Sequence, residues 1–166
     1  KNHISGLDKN TSIIYRNYST IDNKKLIQKI NILCKKQKKK FFISNNIKLA
    51  INLNLDGVYL PSFNKKININ IMSRRKKFLI IGSAHSIKEI KIKEKQGAKM
   101  IFLSPLFKTN KSNKFLDVIK FNLIVLNTSV KIIALGGINK KNINKLNIIN
   151  NYGFAGISYF KNSVKL

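Results

Sequence analysis

One cysteine (Cys34), two prolines, no tryptophan and only six carboxylates in 166 residues narrow the chemistry open to this chain. A lone thiol excludes a disulfide framework and any multi-cysteine metal centre, and it suits a reducing compartment. The carboxylates are Asp8, Asp22, Asp56, Asp117, Glu89 and Glu94. Only Asp56 abuts a strand-like run, at its N-terminal side, so no pair is placed as a dedicated magnesium or acid–base site. Any metal, Mg²⁺ included, would have to arrive mainly with a phosphorylated ligand. No apolar run approaches the ~20 residues of a bilayer span, and no charged-then-apolar leader opens the sequence. These absences predict a cytoplasmic protein without a membrane partner.

Positive charge is in excess, with 33 Lys+Arg against 6 Asp+Glu and a formal net charge of +27. A nucleic-acid partner is the obvious reading. Yet only Arg16, Arg74 and Arg75 are arginines, whereas base and phosphate readers lean on the bidentate Arg fork. Lys, Asn and Ile together make up nearly half the chain, and all three have codons built largely from A and T. The basic runs Lys35–Lys40 and Arg74–Lys77 each precede a strand-like segment, where cations suit the end of a helix. No specific nucleic-acid partner is therefore expected, although non-specific attraction at low salt is.

The hydrophobic pattern is an alternation. Short β-branched or aromatic runs read as buried parallel strands: Ser12–Arg16, Phe41–Ser44, Gly57–Leu60, Phe78–Ser83, Met100–Ser104, Lys131–Leu135 and Phe154–Tyr159. Helical periodicity lies between them, over Asp22–Lys35, from the capping box at Ser86 and Glu89 to near Gly97, and over Asn139–Asn151. Asn64–Ser73 is ambiguous between strand and irregular helix. Repeated βα units without a linker predict a single α/β domain over 1–166. Seven strands suit a (β/α)₈ TIM barrel whose first strand is missing upstream of Lys1. A doubly wound sheet of the flavodoxin kind is the alternative.

Polar and glycine residues gather at the C-terminal ends of these strands: Arg16, Ser44, Asn45, Ser83, His85, Ser104, Gly136, Gly137 and Ser158. Barrel enzymes build their active sites at that end. Gly136-Gly137, ahead of the helix expected from Asn139, suits either a phosphate turn or an ordinary tight βα turn. His85 is placed either to move a proton or to orient its own turn. No Ser–His–Asp set supports nucleophilic catalysis.

Taken in order, the segments FFISNNIKLA, LDGVYLPS, IIGSAHS, GAKMIFLSPLFKT, IIALGGIN and GFAGIS resemble the thiamine phosphate synthase/TenI family over residues 12–160. The resemblance implies a (β/α)₈ barrel acting on phosphorylated thiamine precursors. The synthase branch joins hydroxymethylpyrimidine pyrophosphate to a thiazole phosphate with Mg²⁺; the other branch tautomerises a thiazole carboxylate phosphate. It assigns catalytic positions to Arg16, Ser83 and Lys111. Substrate and phosphate positions fall on Ser44, Asn45, Ser104, Thr109, Gly136, Gly137 and Lys161. It also exposes departures. The family's two metal carboxylates are replaced by Asn45 and Asn64, the Gln and Lys neighbours of the arginine by Ile14 and Tyr18, and the tautomerase His by Pro105. A transferase, a degenerate non-catalytic binder of thiamine intermediates and a basic nucleic-acid-associated protein thus remain as alternatives, and the oligomeric state is open.

Overall fold

The computed structural model describes residues 2–18, 23–67, 77–110 and 112–163, the side chains of 2, 3 and 161–163 excepted. Seven strands form one sheet: β1 (Ile13–Tyr15), β2 (Phe41–Ser44), β3 (Gly57–Leu60), β4 (Leu79–Ala84), β5 (Met100–Leu103), β6 (Lys131–Leu135) and β7 (Gly153–Ala155). All neighbours are parallel, and the spatial order is the chain order, β1 to β7. A doubly wound sheet needs a point where that order reverses. None exists among the described residues, so the architecture is that of a TIM-type barrel, with β1 and β7 as the sheet's two edges.

Helix α1 (Asn2–Ser5) precedes β1. Helices α2 (Lys24–Lys36), α3 (Ile47–Asn52), α4 (Ile87–Lys95) and α5 (Asp117–Leu126) follow β1, β2, β4 and β5, and α6 (Ile157–Ser163) follows β7. Side chains cap three of them, since Asn23, Asn46 and Ser86 accept from the backbone N–H groups of Leu26, Leu49 and Glu89. Glu89 reaches back to the His85 N–H at 2.6 Å, one residue earlier than a standard capping box. Among the described residues no helix is long and apolar enough to cross a membrane.

The sheet separates two apolar clusters. Phe41, Ile43, Val58, Leu60, Ile80, Ile101, Leu103 and Ile132 face the helices and pack with Ile27, Cys34, Ile90 and Phe121. Phe42, Tyr59, Ile81 and Phe102 occupy the other face, the barrel interior. Both faces are buried, which explains why the strands read as unbroken apolar runs.

Two sequence expectations are corrected. Phe154–Tyr159 is not one strand; β7 ends at Ala155 and α6 begins at Ile157. The α-helix expected over Asn139–Asn151 is a 3-10 helix confined to Ile143–Ile148. Asparagine explains the second. The side-chain amides of Asn139 and Asn142 both donate to the Gly137 carbonyl, and Asn142 Oδ1 accepts the Asn139 N–H, so side chains compete for the first helical turn. The ambiguous Asn64–Ser73 stretch lies outside the described residues from Asn68 onward, as do Arg74, Arg75 and Lys76.

Candidate active site

Strand register decides which polar residues meet. Ile14 pairs with Phe42, Ser44 with Tyr59, Tyr59 with Ile81, and Ser83 with Phe102. Side chains alternate along a strand, so Arg16, Ser44, Tyr59, Ser83 and Ser104 share the interior face. They form its polar upper layer, directly above Phe42, Ile81 and Phe102.

These side chains engage one another. The Arg16 guanidinium lies 5.3 Å from the Tyr18 ring centre and 5.7 Å from that of Tyr59, a double cation–π contact. The Ser44 hydroxyl donates to the Tyr18 phenol at 2.8 Å. Tyr59 shares a hydrogen bond with Ser83; burial pushes its phenol up, against the pull of that bond and of Arg16. His85 Nδ1 stands 2.7 Å from the Ser104 carbonyl. Only a protonated nitrogen can make that contact, so Nδ1 donates. The ring therefore ties the ends of β4 and β5 together.

Beside this layer lie two adjoining hollows of about 570 and 350 Å³ that share Asn45, Asn46 and Phe63. The larger also takes Lys48, Lys65 and Lys66 in its wall; the smaller takes Tyr18 and Ser44. Tyr18 and Phe63 meet edge to face at 5.6 Å.

The loop bearing Phe63 and Asn64 is held from beneath by α4. Lys93 is fully buried. Its ammonium donates to the carbonyls of Pro61 (2.7 Å) and Asn64 (2.6 Å) and to Gln96 Oε1 (2.9 Å). Gln96 in turn donates to the Asn64 and Lys66 carbonyls. The lysine stem crosses Gly82, where an added Cβ would come within 2.8 Å of Lys93 Cγ. Desolvation lowers the Lys93 pKa to about 8, partly offset by the charge of Glu89. Neither Lys93 nor Tyr59 was expected from the sequence. A lysine on an amphipathic helix reads as solvated, and its one signal is its place three residues after buried Ile90 on the apolar face.

Asn45 and Asn64, at the positions the family resemblance gives to metal carboxylates, are bonded to each other. Asn64 Nδ2 donates to Asn45 Oδ1 at 2.7 Å. The orientation is set by the backbone: the Lys66 N–H requires an acceptor and takes Asn64 Oδ1 at 3.0 Å. Asn64 thus turns an amide N–H₂, not an oxygen, toward Asn45, in a hollow lined by three lysines. A divalent cation held by the protein does not fit these groups, because Mg²⁺ requires converging oxygens, carboxylates above all.

The remaining expected residues spread along the rim. Thr109 and Ser112 exchange backbone hydrogen bonds at 3.3 Å across a tight turn; Lys111, between them, lies outside the described residues. Lys161 is on α6, its side chain also undescribed. Gly136 and Gly137 have φ of +94° and +73°. A Cβ on Gly136 would meet Pro105 at 2.8 Å, and one on Gly137 would meet the Lys108 and Phe107 carbonyls at 2.5 and 2.6 Å. Packing against the 105–108 loop therefore demands glycine at both positions, and the described chain directly after them forms a turn, not an α-helix. Asp56 is structural, its Oδ2 accepting the Phe41 N–H at 2.9 Å.

Comparison with known proteins places the chain in a family. Residues 6–160 match the family model for thiamine monophosphate synthase. A thiamine-phosphate synthase of Flavobacterium johnsoniae is 31% identical over 155 residues, covering 85% of this chain and 70% of its own length. One from Prochlorococcus marinus is 35% identical over 143 residues, covering 82% of this chain but 40% of that longer protein. Among solved structures, thiamine phosphate pyrophosphorylase from Pyrococcus furiosus superposes with a TM-score of 0.72 at 24% identity, over 89% of this chain and 73% of its own. At that identity the superposition speaks for the barrel fold.

Proposed function

The chain belongs to the thiamine monophosphate synthase family, and from that premise we propose that its barrel rim binds hydroxymethylpyrimidine pyrophosphate and a thiazole phosphate and joins them. The observation that carries the reading is the convergence of Arg16, Ser44, Tyr59 and Ser83 on the interior face beside a lysine-lined hollow. In the reaction the C–O bond between the pyrimidine methylene and the diphosphate breaks, and its electron pair leaves with pyrophosphate. The thiazole nitrogen supplies the pair for the new C–N bond. Negative charge grows on the leaving group and positive charge on the methylene carbon. Arg16, together with Lys48, Lys65, Lys66 and Lys111, stabilises the departing diphosphate. Tyr18 and Phe63 offer aromatic surface to a flat heterocycle. Ser83, Ser104 and Thr109 give polar contacts, and Gly136, Gly137 and Lys161 receive the thiazole phosphate.

The Asn45–Asn64 bond supports a second reading, a cytoplasmic binding protein for the same ligands with little or no turnover. The two readings share the domain, residues 1–166 as one barrel unit, and the ligands; they differ in chemistry. Product formation from both substrates, followed beside calorimetric binding of each, separates them. Turnover supports the synthase, binding without turnover supports the degenerate binder, and binding of neither substrate removes both.

A further inference from the structure

Helix α5 is apolar on two sides. Phe121 is buried, and Val118, Ile124 and Val125 pack against the core. Ile119, Leu123 and Leu126, spaced i, i+4, i+7 along the opposite face, are 74%, 57% and 71% exposed. Such spacing places them in one stripe. The 3-10 segment continues that stripe. Asn122 donates to the Ile148 carbonyl at 3.1 Å and accepts the Asn150 N–H at 2.8 Å, which brings Ile148, 63% exposed, to the flank of α5. A helix that is hydrophobic all round is ordinarily a buried one.

Charge selects what covers it. The chain carries +27, yet Phe115–Val130 contains one lysine (Lys120) and one acid (Asp117). An acidic protein or a polyanion would settle on the lysine-rich faces instead. A neutral apolar stripe is complementary to itself, and two strongly cationic copies repel least where neither carries net charge. We propose that two copies of this chain associate through α5 and Ile148 in an isologous, two-fold interface. The four side chains leave on the order of 500 Å² of apolar surface per copy in water, as large as the biggest patch of an ordinary monomer, which is often functional. The roughly 1,000 Å² total so buried is at the lower limit for a specific dimer, so association in the micromolar range is expected. Salt screens the repulsion between the copies and therefore strengthens the dimer. Binding through lysines would respond in the opposite direction.

Sedimentation velocity tests this independently of any enzymatic reading. The unmodified chain should pass from monomer to dimer as its concentration rises from micromolar to hundreds of micromolar, with at least a several-fold tighter midpoint in 0.5 M than in 0.05 M NaCl. The Ile119→Lys/Leu123→Lys variant should remain monomeric with unchanged circular dichroism. If that variant fails to fold, the milder Leu126→Gln should weaken association about tenfold. A monomer throughout, a dimer insensitive to these variants or weakened by salt, or growth beyond the dimer would overturn the proposal.

Discussion

Asn64 donates its side-chain amide to Asn45 Oδ1 at 2.7 Å, closing the loop after β3 onto the loop after β2. The contact is locked on both sides. Asn45 has a left-handed backbone at φ +62°, a conformation asparagine tolerates better than most residues. Asn64 is fixed by the Lys66 N–H in front and by Lys93 and Gln96 behind. The two loops are therefore cross-linked by the protein's own hydrogen bonds, at the place where family resemblance gives the synthase a metal.

Replacing Lys93 by methionine keeps the stem over Gly82 but removes the ammonium's three bonds. The Pro61 and Asn64 carbonyls keep the Asn64 N–H and Gln96 as donors, whereas Gln96 Oε1 loses the donor it had. Each buried acceptor left unpaired costs about 1–3 kcal/mol, offset in part by relief of the buried charge. The loss should be local. Hydrogen exchange in residues 61–67 should quicken at least tenfold while the strands keep their protection. Unchanged exchange in that loop would remove Lys93 as its anchor.

Lys93 also predicts a pH dependence. Its folded pKa of about 8 lies below the ordinary 10.5, so between those values the unfolded chain holds a proton that the folded chain has released. This group then makes stability rise with pH across that window and contributes no slope below it. Urea midpoints of the unmodified protein and Lys93→Met, compared at pH 7, 8.5 and 10, should diverge in favour of the unmodified protein. A constant difference would show an unshifted lysine.

Gly137 should be intolerant of any side chain, ligand or no ligand. At φ +73°, with carbonyl oxygens 2.5 and 2.6 Å from an added Cβ, Gly137→Ala forces the 105–108 loop to move and costs about 3 kcal/mol. Thermal unfolding without phosphate ligands reads this directly. A melting temperature within a degree of the unmodified protein would mean that the loop yields freely.

Arg16 lies within cation–π distance of two rings, and lysine lacks its planar, five-donor fork. Arg16→Lys should weaken binding of the pyrimidine diphosphate about tenfold with unchanged folding. Equal calorimetric affinity would mean that only the charge, and not the fork, is used.

Much of the barrel was legible because strands buried on both faces leave apolar runs bounded by polar residues, as in Phe41–Ser44 and Gly57–Leu60, which the structure reproduces residue for residue. The C-terminal end misled because Ile157, Tyr159 and Phe160 are apolar enough for a strand, yet Gly156 ends β7 and the chain turns into α6. Arg16, Ser44, Ser83 and Ser104 could be placed at strand ends; that they share the interior face needed the register. Tyr59 was hidden inside an apolar run, and Lys93 among thirty lysines. The Gly136-Gly137 pair was visible, but the close approach of the 105–108 loop, some thirty residues away in sequence, left no local mark.

The central claim is that this rim works, if it turns over, without a protein-held divalent cation. Steady-state product formation from both substrates across a magnesium titration from chelator to millimolar excess tests it most directly, with Asn45→Asp/Asn64→Asp measured alongside. The account predicts slow or undetectable turnover by the unmodified chain, changing less than about threefold across the titration, and a marked magnesium dependence only once both carboxylates are supplied. Rapid turnover by the unmodified chain that vanishes with chelator would contradict it.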